Sequence, residues 1–180
     1  FGKLAELGAE GPLLLLSDST YAEIEGYNPS EQVVAEVFDR IMADAPGRVI
    51  VATFASLVSR VQQVIDAAVK HERRVGIVGR SMTEIANMAM KMGYLKAPKG
   101  VIAPLEELRG LPPPRVAIVV TGTQGEPTTV LVRMANQDHR QLQVVPGDTV
   151  VMSATAITGN ETITHSASRR NAMLHCALTK

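Results

Sequence analysis

Aromatic and sulfur side chains are scarce in this sequence. Its 180 residues include no tryptophan, three tyrosines, three phenylalanines and one cysteine. Aromatics at 3% leave little for an extended base-stacking platform. The lone Cys176 cannot form an intramolecular disulfide, which suits a reducing cytoplasm. An excess of one charge is missing too: 18 Lys+Arg balance 18 Asp+Glu. That excludes a general polyanion-binding surface as the main theme while leaving room for a local basic patch. Apolar runs such as Leu13 to Leu16 are far too short for a membrane span or a secretory h-region.

Histidine is also sparse. His71, His139, His165 and His175 are the full set, and no two stand at i and i+2 or close to a shared acidic partner. A dinuclear zinc hydrolase needs about five or six His/Asp/Glu/Cys ligands, so this chain is not expected to supply such a site by itself. His165 and His175 are expected as exposed tail residues, and His71 falls late in a helix, where a cation suits the dipole. No G-x-x-x-x-G-K-[S/T] occurs, and Gly122-x-x-Gly125 lacks the third glycine of a dinucleotide fingerprint. P-loop NTPases and nicotinamide or flavin dehydrogenases are therefore poor readings.

What the sequence does contain is enough apolar material, 46%, for one sizeable core. Short β-rich runs alternate with longer helical patterns, the mark of a parallel sheet covered by helices. After Gly11-Pro12 comes the run Leu13 to Leu16. Pro29-Ser30-Glu31 then opens a helix with Val33, Val34, Val37, Ile41 and Met42 on one face, stopped by Pro46-Gly47. Arg48 to Ala52, Arg74 to Val78, Arg115 to Val120 and Thr149 to Ser153 read as strands. Helices between them carry Leu57, Val61, Val64, Ile65 and Ala68, then Ile85, Met88, Ala89 and Met92, then Val130, Leu131 and Met134. A Pro- and Gly-rich connection from Tyr94 to Pro114 holds a short edge strand at Val101-Ile102 and an acidic helical piece at Glu106 and Glu107. The expected fold is α/β: a doubly wound, mostly parallel, Rossmann-like sheet with helices on both faces.

Leu13 to Leu16 is read as a first strand, so four strands end in small polar clusters: Ser17 to Thr20, Thr53 to Ser56, Gly79-Arg80-Ser81 and Thr121 to Gly125. In an open parallel sheet such clusters share the carboxyl edge, beside helix N-termini that favour a phosphate. Arg80 offers a bidentate charge-assisted contact, and Arg60 lies one helical turn beyond Ser56. Each cluster alone also has an ordinary explanation, since Ser and Thr cap helices and Gly makes turns. Asp18 has two readings: a cap or turn residue, or an acid that orients a metal ligand's imidazole.

The ordered motifs resemble the bacterial ribonuclease J family. They are Leu14-Leu15-Leu16-Ser17-Asp18-Ser19-Thr20, Gly26-Tyr27-x-Pro29-Ser30-Glu31, Val51-Ala52-Thr53-Phe54-Ala55-Ser56 with Arg60 and Gln63, and Val78-Gly79-Arg80-Ser81-Met82. Thr121-Gly122-x-Gln124-Gly125-Glu126-Pro127, Met134-Ala135-Asn136-x-Asp138-His139-Arg140 and Pro146-Gly147-Asp148-Thr149-Val150 continue the series. The likeness covers residues 1–161 and corresponds to the β-CASP domain, which in that family is inserted into a metallo-β-lactamase domain. The family's H-x-H-x-D-H signature and its later S-G-H-A and P-x-H-G-E stretches are absent, so the chain looks like an excised domain of a larger nuclease. Residues 162–180 stop resembling the family and read as a divergent or extraneous tail.

The resemblance implies a zinc-dependent parent enzyme that cleaves RNA as a 5′-to-3′ exonuclease and an endonuclease. This domain would form one wall of the cleft, with Asp18 matching the acidic residue of the first β-CASP motif and supporting the metal site indirectly. No metal ligand is expected within this chain. Candidate RNA or phosphate contacts are Ser56, Arg60, Gly79, Arg80, Ser81, Thr121, Gly122, Gln124, Gly125, His139 and Arg140. The implied partners are RNA, especially 5′-monophosphorylated single strands, the missing metallo-β-lactamase domain, and a homo-oligomer or RNA-degradation complex, in the cytoplasm and away from membranes. Two rivals remain: a non-catalytic phosphosugar-binding α/β module, and an interaction or oligomerisation domain.

Overall fold

The strands form where β-branched residues cluster between turn signals. The computed structural model describes residues 2–17, 23, 25–26, 30–123, 128–153 and, through their backbone, 173–175. In it β1 (Val49–Ala52), β2 (Arg74–Val78), β3 (Val116–Val120), β4 (Thr149–Met152) and β5 (Met173–His175) make one sheet in the order β2-β3-β1-β4-β5. Every neighbouring pair is parallel, with Ile50 opposite both Ile118 and Val150. β1, β3 and β4 are buried along their whole length. That is why β1 and β3 read as unbroken apolar runs rather than alternating ones: helices cover both faces of the sheet.

On one face lie α2 (Gln32–Asp44), α3 (Val58–Lys70) and α4 (Arg80–Lys91), enclosing Phe38, Val64, Ile65 and Met82. On the other, α5 (Leu105–Leu108) and α6 (Val130–Ala135) enclose Leu108, Leu131 and Met134 against Ile118. The doubly wound α/β expectation is met. α2 ends where the residue before Pro46 is pushed out of the helical region: Ala45 sits at φ −66°, ψ 120°. At the sheet's amino edge, a Cβ on Gly47 would lie 2.2 Å from the Gly147 carbonyl oxygen, so this close approach of two turns requires glycine. Beside it, the buried Asp148 carboxylate takes Arg48 Nε at 2.8 Å, tying the start of β1 to the start of β4. His71 caps the C-terminus of α3 and meets Asp39 at 2.7 Å, in keeping with its expected helix-end place. The Lys70 and His71 hydrogen bonds hold the Asp39 carboxyl below its ordinary value.

Four features differ from the sequence reading. Leu13 to Leu16 are exposed and join no strand. An apolar run becomes a strand only where a sheet edge accepts it, and the free side of β2 is already taken by Ile102, which bridges to Val75. That bridge answers to the edge strand expected at Val101-Ile102. α1 (Gly2–Ala9) buries nothing and carried no strong sequence signal. In α4 the buried stripe is Met82, Ala86 and Ala89, whereas Met88 and Met92 are 55% and 63% exposed. Size misled there: Ala86 and Ala89 let the helix approach the core closely beside the buried Met82, while Met88 and Met92 face outward. Finally, β5 pairs its backbone with β4, Thr149 opposite Met173. Three residues are too few for a periodic pattern, and His175 thus lies on a strand rather than in an irregular tail.

Candidate nucleic-acid interface

Three of the four expected clusters follow strands, at the ends of β1, β2 and β3; Ser17 follows no strand, and residues 18–20 lie outside the described residues. After β1, the Thr53 N–H still donates to Val120 O at 3.1 Å, and after β4 the Ser153 N–H donates to Ala52 O at 2.9 Å. The ends of β3, β1 and β4 are therefore laced together. The connection from β1 runs through α3 to β2, while β4 leads the other way to β5. Their carboxyl ends flank a topological switch point, the usual ligand crevice of such sheets.

Ser56 is exposed just before α3, which begins without a side-chain cap, so its hydroxyl is not used to close the helix. Gly79 sits at φ 113°, ψ 139° and starts α4. A Cβ there would lie 3.1 Å from Val130 Cγ2 and 3.3 Å from Thr121 Oγ1, which brings the Gly79 turn against the Thr121 turn. Gly122, at φ 121°, is tighter: its Cβ would lie 2.7 Å from Thr129 Oγ1 and 2.9 Å from Leu131 Cβ. Only glycine fits that approach. Arg80 and Ser81 are exposed in the first turn of α4, where backbone N–H groups lack intrahelical acceptors. Arg80 makes no ion pair among the described residues. The structure thus brings the Gly79-Arg80-Ser81 turn against the Thr121-Gly122 turn, while Ser56 follows the carboxyl end of β1. Asp18, Gln124 and Gly125 lie outside the described residues.

Arg60 has a different position from the solvent-facing one expected of a phosphate contact. Its side chain is 7% exposed, donates to the Ser153 hydroxyl, and pairs with Glu31 Oε2 at 2.7 Å. It straps the start of α2 to the end of β4. Gln63 adds a second tie, Nε2 to Glu31 O at 2.9 Å. Thr53 Oγ1, Arg60 Nε and Gln63 Oε1 are buried without a hydrogen-bond partner among the described residues. Sequence reasoning missed Glu31 and Ser153 in this knot, since Pro29-Ser30-Glu31 has the pattern of a helix start and Ser153 that of a strand end.

His139 and Arg140 stand apart from this edge. They follow α6, and Gln143, a few residues on, accepts from Arg48 at 2.8 Å beside the start of β1. Burial and the neighbouring Arg133 charge hold the His139 imidazole below the ordinary histidine range, so it is neutral rather than cationic at neutral pH. Among the described residues no three His, Cys, Asp or Glu side chains converge as a metal site. Those residues do not by themselves fit a zinc centre.

Comparison with known proteins matches residues 46–168 to "Ribonuclease J, beta-CASP domain". The chain is 48% identical over 159 residues to ribonuclease J of Thermus thermophilus, covering 88% of this chain and 28% of that protein. It is 47% identical over 158 residues to ribonuclease J of Synechocystis, 88% of this chain and 25% of that protein. Ribonuclease J2 of Bacillus subtilis is 41% identical over 162 residues, 90% of this chain and 29% of that protein. The chain thus spans between a quarter and a third of the length of these curated relatives. The parallel sheet, its glycine-bound carboxyl edge and these matches agree: this chain belongs to the ribonuclease J β-CASP family of the metallo-β-lactamase superfamily.

Proposed function

We propose that this chain is the RNA-binding wall of a zinc-dependent ribonuclease J-like enzyme that acts 5′-to-3′ and endonucleolytically. The metal ligands would come from a metallo-β-lactamase domain elsewhere in the polypeptide. One observation carries this reading: the Gly79 turn packs against Thr121 at the sheet's carboxyl edge, and the next residue, Arg80, is solvent-exposed. Exposed N–H groups, hydroxyls and one planar cation suit a 5′-phosphate or a backbone phosphodiester. Ser56 extends the same edge along β1; Gln124 and Gly125 belong to it by sequence. The balanced overall charge and the lack, among the described residues, of a helix able to cross a membrane are compatible with a cytoplasmic RNA-degrading enzyme.

Arg80→Lys tests the edge. Lysine cannot reproduce the bidentate fork. The variant should bind a 5′-monophosphorylated oligoribonucleotide more weakly, with little change for its 5′-hydroxyl counterpart. A charge-assisted hydrogen bond contributes about 1.5–3 kcal/mol, so the 5′-phosphate preference should shrink by roughly tenfold or more. Titrations at one fixed salt concentration read this directly, because salt alters every phosphate contact. Equal weakening for both oligonucleotides would assign Arg80 to general backbone binding, and no change for either would remove it from the site. Preference for a free sugar phosphate over RNA would favour a phosphosugar-binding module instead. Self-association with neither ligand bound would favour an interaction domain.

Asp18 is the residue proposed to reach the catalytic centre, by steadying a metal ligand supplied from outside this chain. In the full-length enzyme Asp18→Asn should lower turnover or metal affinity by about 10–100-fold while leaving the unfolding midpoint unchanged. Wild-type turnover and metal content in that variant would make Asp18 a turn residue only.

A further inference from the structure

A second feature lies away from the sheet's carboxyl edge. Between Glu84 and Glu106 the sequence holds no acidic residue but three lysines: Lys91, Lys96 and Lys99. All three are exposed, and none joins an ion pair among the described residues. Tyr94 stands among them and is 71% exposed, one of only three tyrosines in the chain.

The backbone builds this placement. Gly93, at φ 78°, ends α4: its N–H donates to Met90 O at 3.1 Å and the Tyr94 N–H to Ala89 O at 2.9 Å. These are the paired bonds of a Schellman cap. The chain then turns so that Leu95 plugs the core at 3% exposure while Tyr94 points out. The next residue is clasped to α3, with Gln62 Oε1 accepting from the Lys96 N–H at 2.7 Å and Gln62 Nε2 donating to Lys96 O at 2.9 Å. Gln62 also donates to Asp66 Oδ1 at 2.7 Å. The result is an open cavity of about 640 Å³ lined by Gln62, Asp66, Tyr94, Lys96, Ala97 and Pro98. It is a shallow, open depression rather than an enclosed pocket. It opens on the outer side of the α3–α4 layer, since Val61, Val64, Ile65 and Ala68 turn the other side of α3 to the sheet.

We infer that this cavity is a second single-stranded RNA subsite, which seats one nucleotide against Tyr94 while Lys91, Lys96 and Lys99 track the backbone phosphates. RNA as the ligand rests on the function proposed above. An aromatic face beside cations is the sequence-tolerant way to hold a single strand. The Asp66 carboxylate in the lining can accept a hydrogen bond from a ribose hydroxyl or a base amine, donors that the side chains of an acidic peptide lack. A subsite remote from the 5′-phosphate edge lengthens the grip on the strand without reading its end.

The test titrates the 180-residue chain with a 5′-hydroxyl single-stranded oligoribonucleotide over a series of salt concentrations. Tyr94→Ala should weaken binding about tenfold, within the range expected when one base stack is removed, and Tyr94→Phe should restore it. Lys91→Gln, Lys96→Gln and Lys99→Gln combined should flatten the slope of log affinity against log salt by about two, at about 0.7 for each phosphate no longer neutralised. None of these variants should change the preference for a 5′-phosphate. Unchanged affinity and slope, with circular dichroism confirming the fold, would overturn the subsite and leave the Arg80 edge standing. A silent Arg80→Lys beside strong patch effects would instead sink the edge reading and keep the subsite. Displacement of bound RNA by polyglutamate as effective as by unlabelled RNA would overturn the assignment in favour of an acidic protein partner.

Discussion

Arg73→Met should destabilise this fold by about 3–5 kcal/mol, which the midpoint of a urea denaturation curve would report. Arg73 lies at 4% exposure with no carboxylate partner among the described residues, a position that ordinarily costs a charged group a great deal. Its compensation is a fan of backbone carbonyls. Nε donates to Met42 O at 3.0 Å, Nη2 to Ala45 O at 2.8 Å, and Nη1 to Gly47 O at 2.8 Å and Val116 O at 3.4 Å. Met42 and Ala45 belong to the end of α2, whose last carbonyls have no intrahelical donor. The guanidinium at the start of β2 thus acts as the C-terminal cap of a different helix and pins the Pro46-Gly47 turn. Burial lowers its pKa below the ordinary arginine value, and the carbonyl fan is what offsets that cost. Methionine keeps much of the side-chain volume but strands those carbonyls in the interior. Lysine should recover only part of the stability, because one ammonium cannot reach a fan of acceptors that a planar fork spans. A Met variant within about 1 kcal/mol of wild type would show that the carbonyls find water or relax.

Arg73 also shows which layer of the structure was legible in the sequence. β1 to β4 were, because a parallel sheet covered on both faces needs unbroken β-branched runs, and Val49–Ala52 and Val116–Val120 supply them; Leu13 to Leu16 misled and β5 was missed. Three of the four strand-end clusters were legible for the same reason, since strand ends and glycine turns are local signals; the one at Ser17 follows no strand. Side-chain ties over long sequence separation were not. Arg60 and Ser153 are 93 residues apart and Arg73 and Met42 are 31 apart. An arginine has the same sequence signature whether it faces phosphate, as Arg80 is free to do, or is consumed inside, as Arg60 and Arg73 are. Helix rotation was the other blind spot. In α4 a Met-based stripe and an Ala-based stripe have the same period, and only the distance to the sheet decides between them.

Purified as the 180-residue chain and supplied with zinc or manganese, this protein should release no nucleotide from labelled RNA above a no-protein control. Supplying the remainder of a ribonuclease J polypeptide should restore chelator-sensitive turnover. Hydrolysing a phosphodiester at a two-metal centre requires ligands that fix both ions and lower the pKa of bound water. Among the described residues no group of three His, Cys, Asp or Glu converges, and His71 is already engaged with Asp39. His139 is half-buried in the turn that follows α6, not in the Arg80 turn. The carboxyl edge offers cations, hydroxyls and amides, groups that bind and orient a phosphate. Such groups lower a barrier only when charge developing in the transition state meets them together with a nucleophile. Without that partner the expected loss is on the order of a million-fold or more, the usual minimum of enzymatic acceleration. Binding should survive: the isolated chain should still hold 5′-monophosphorylated RNA with the Arg80-dependent preference. Turnover that co-purifies with the chain, responds to metal and stops with chelator would show that it assembles a centre of its own, and the binding-wall reading would then be wrong.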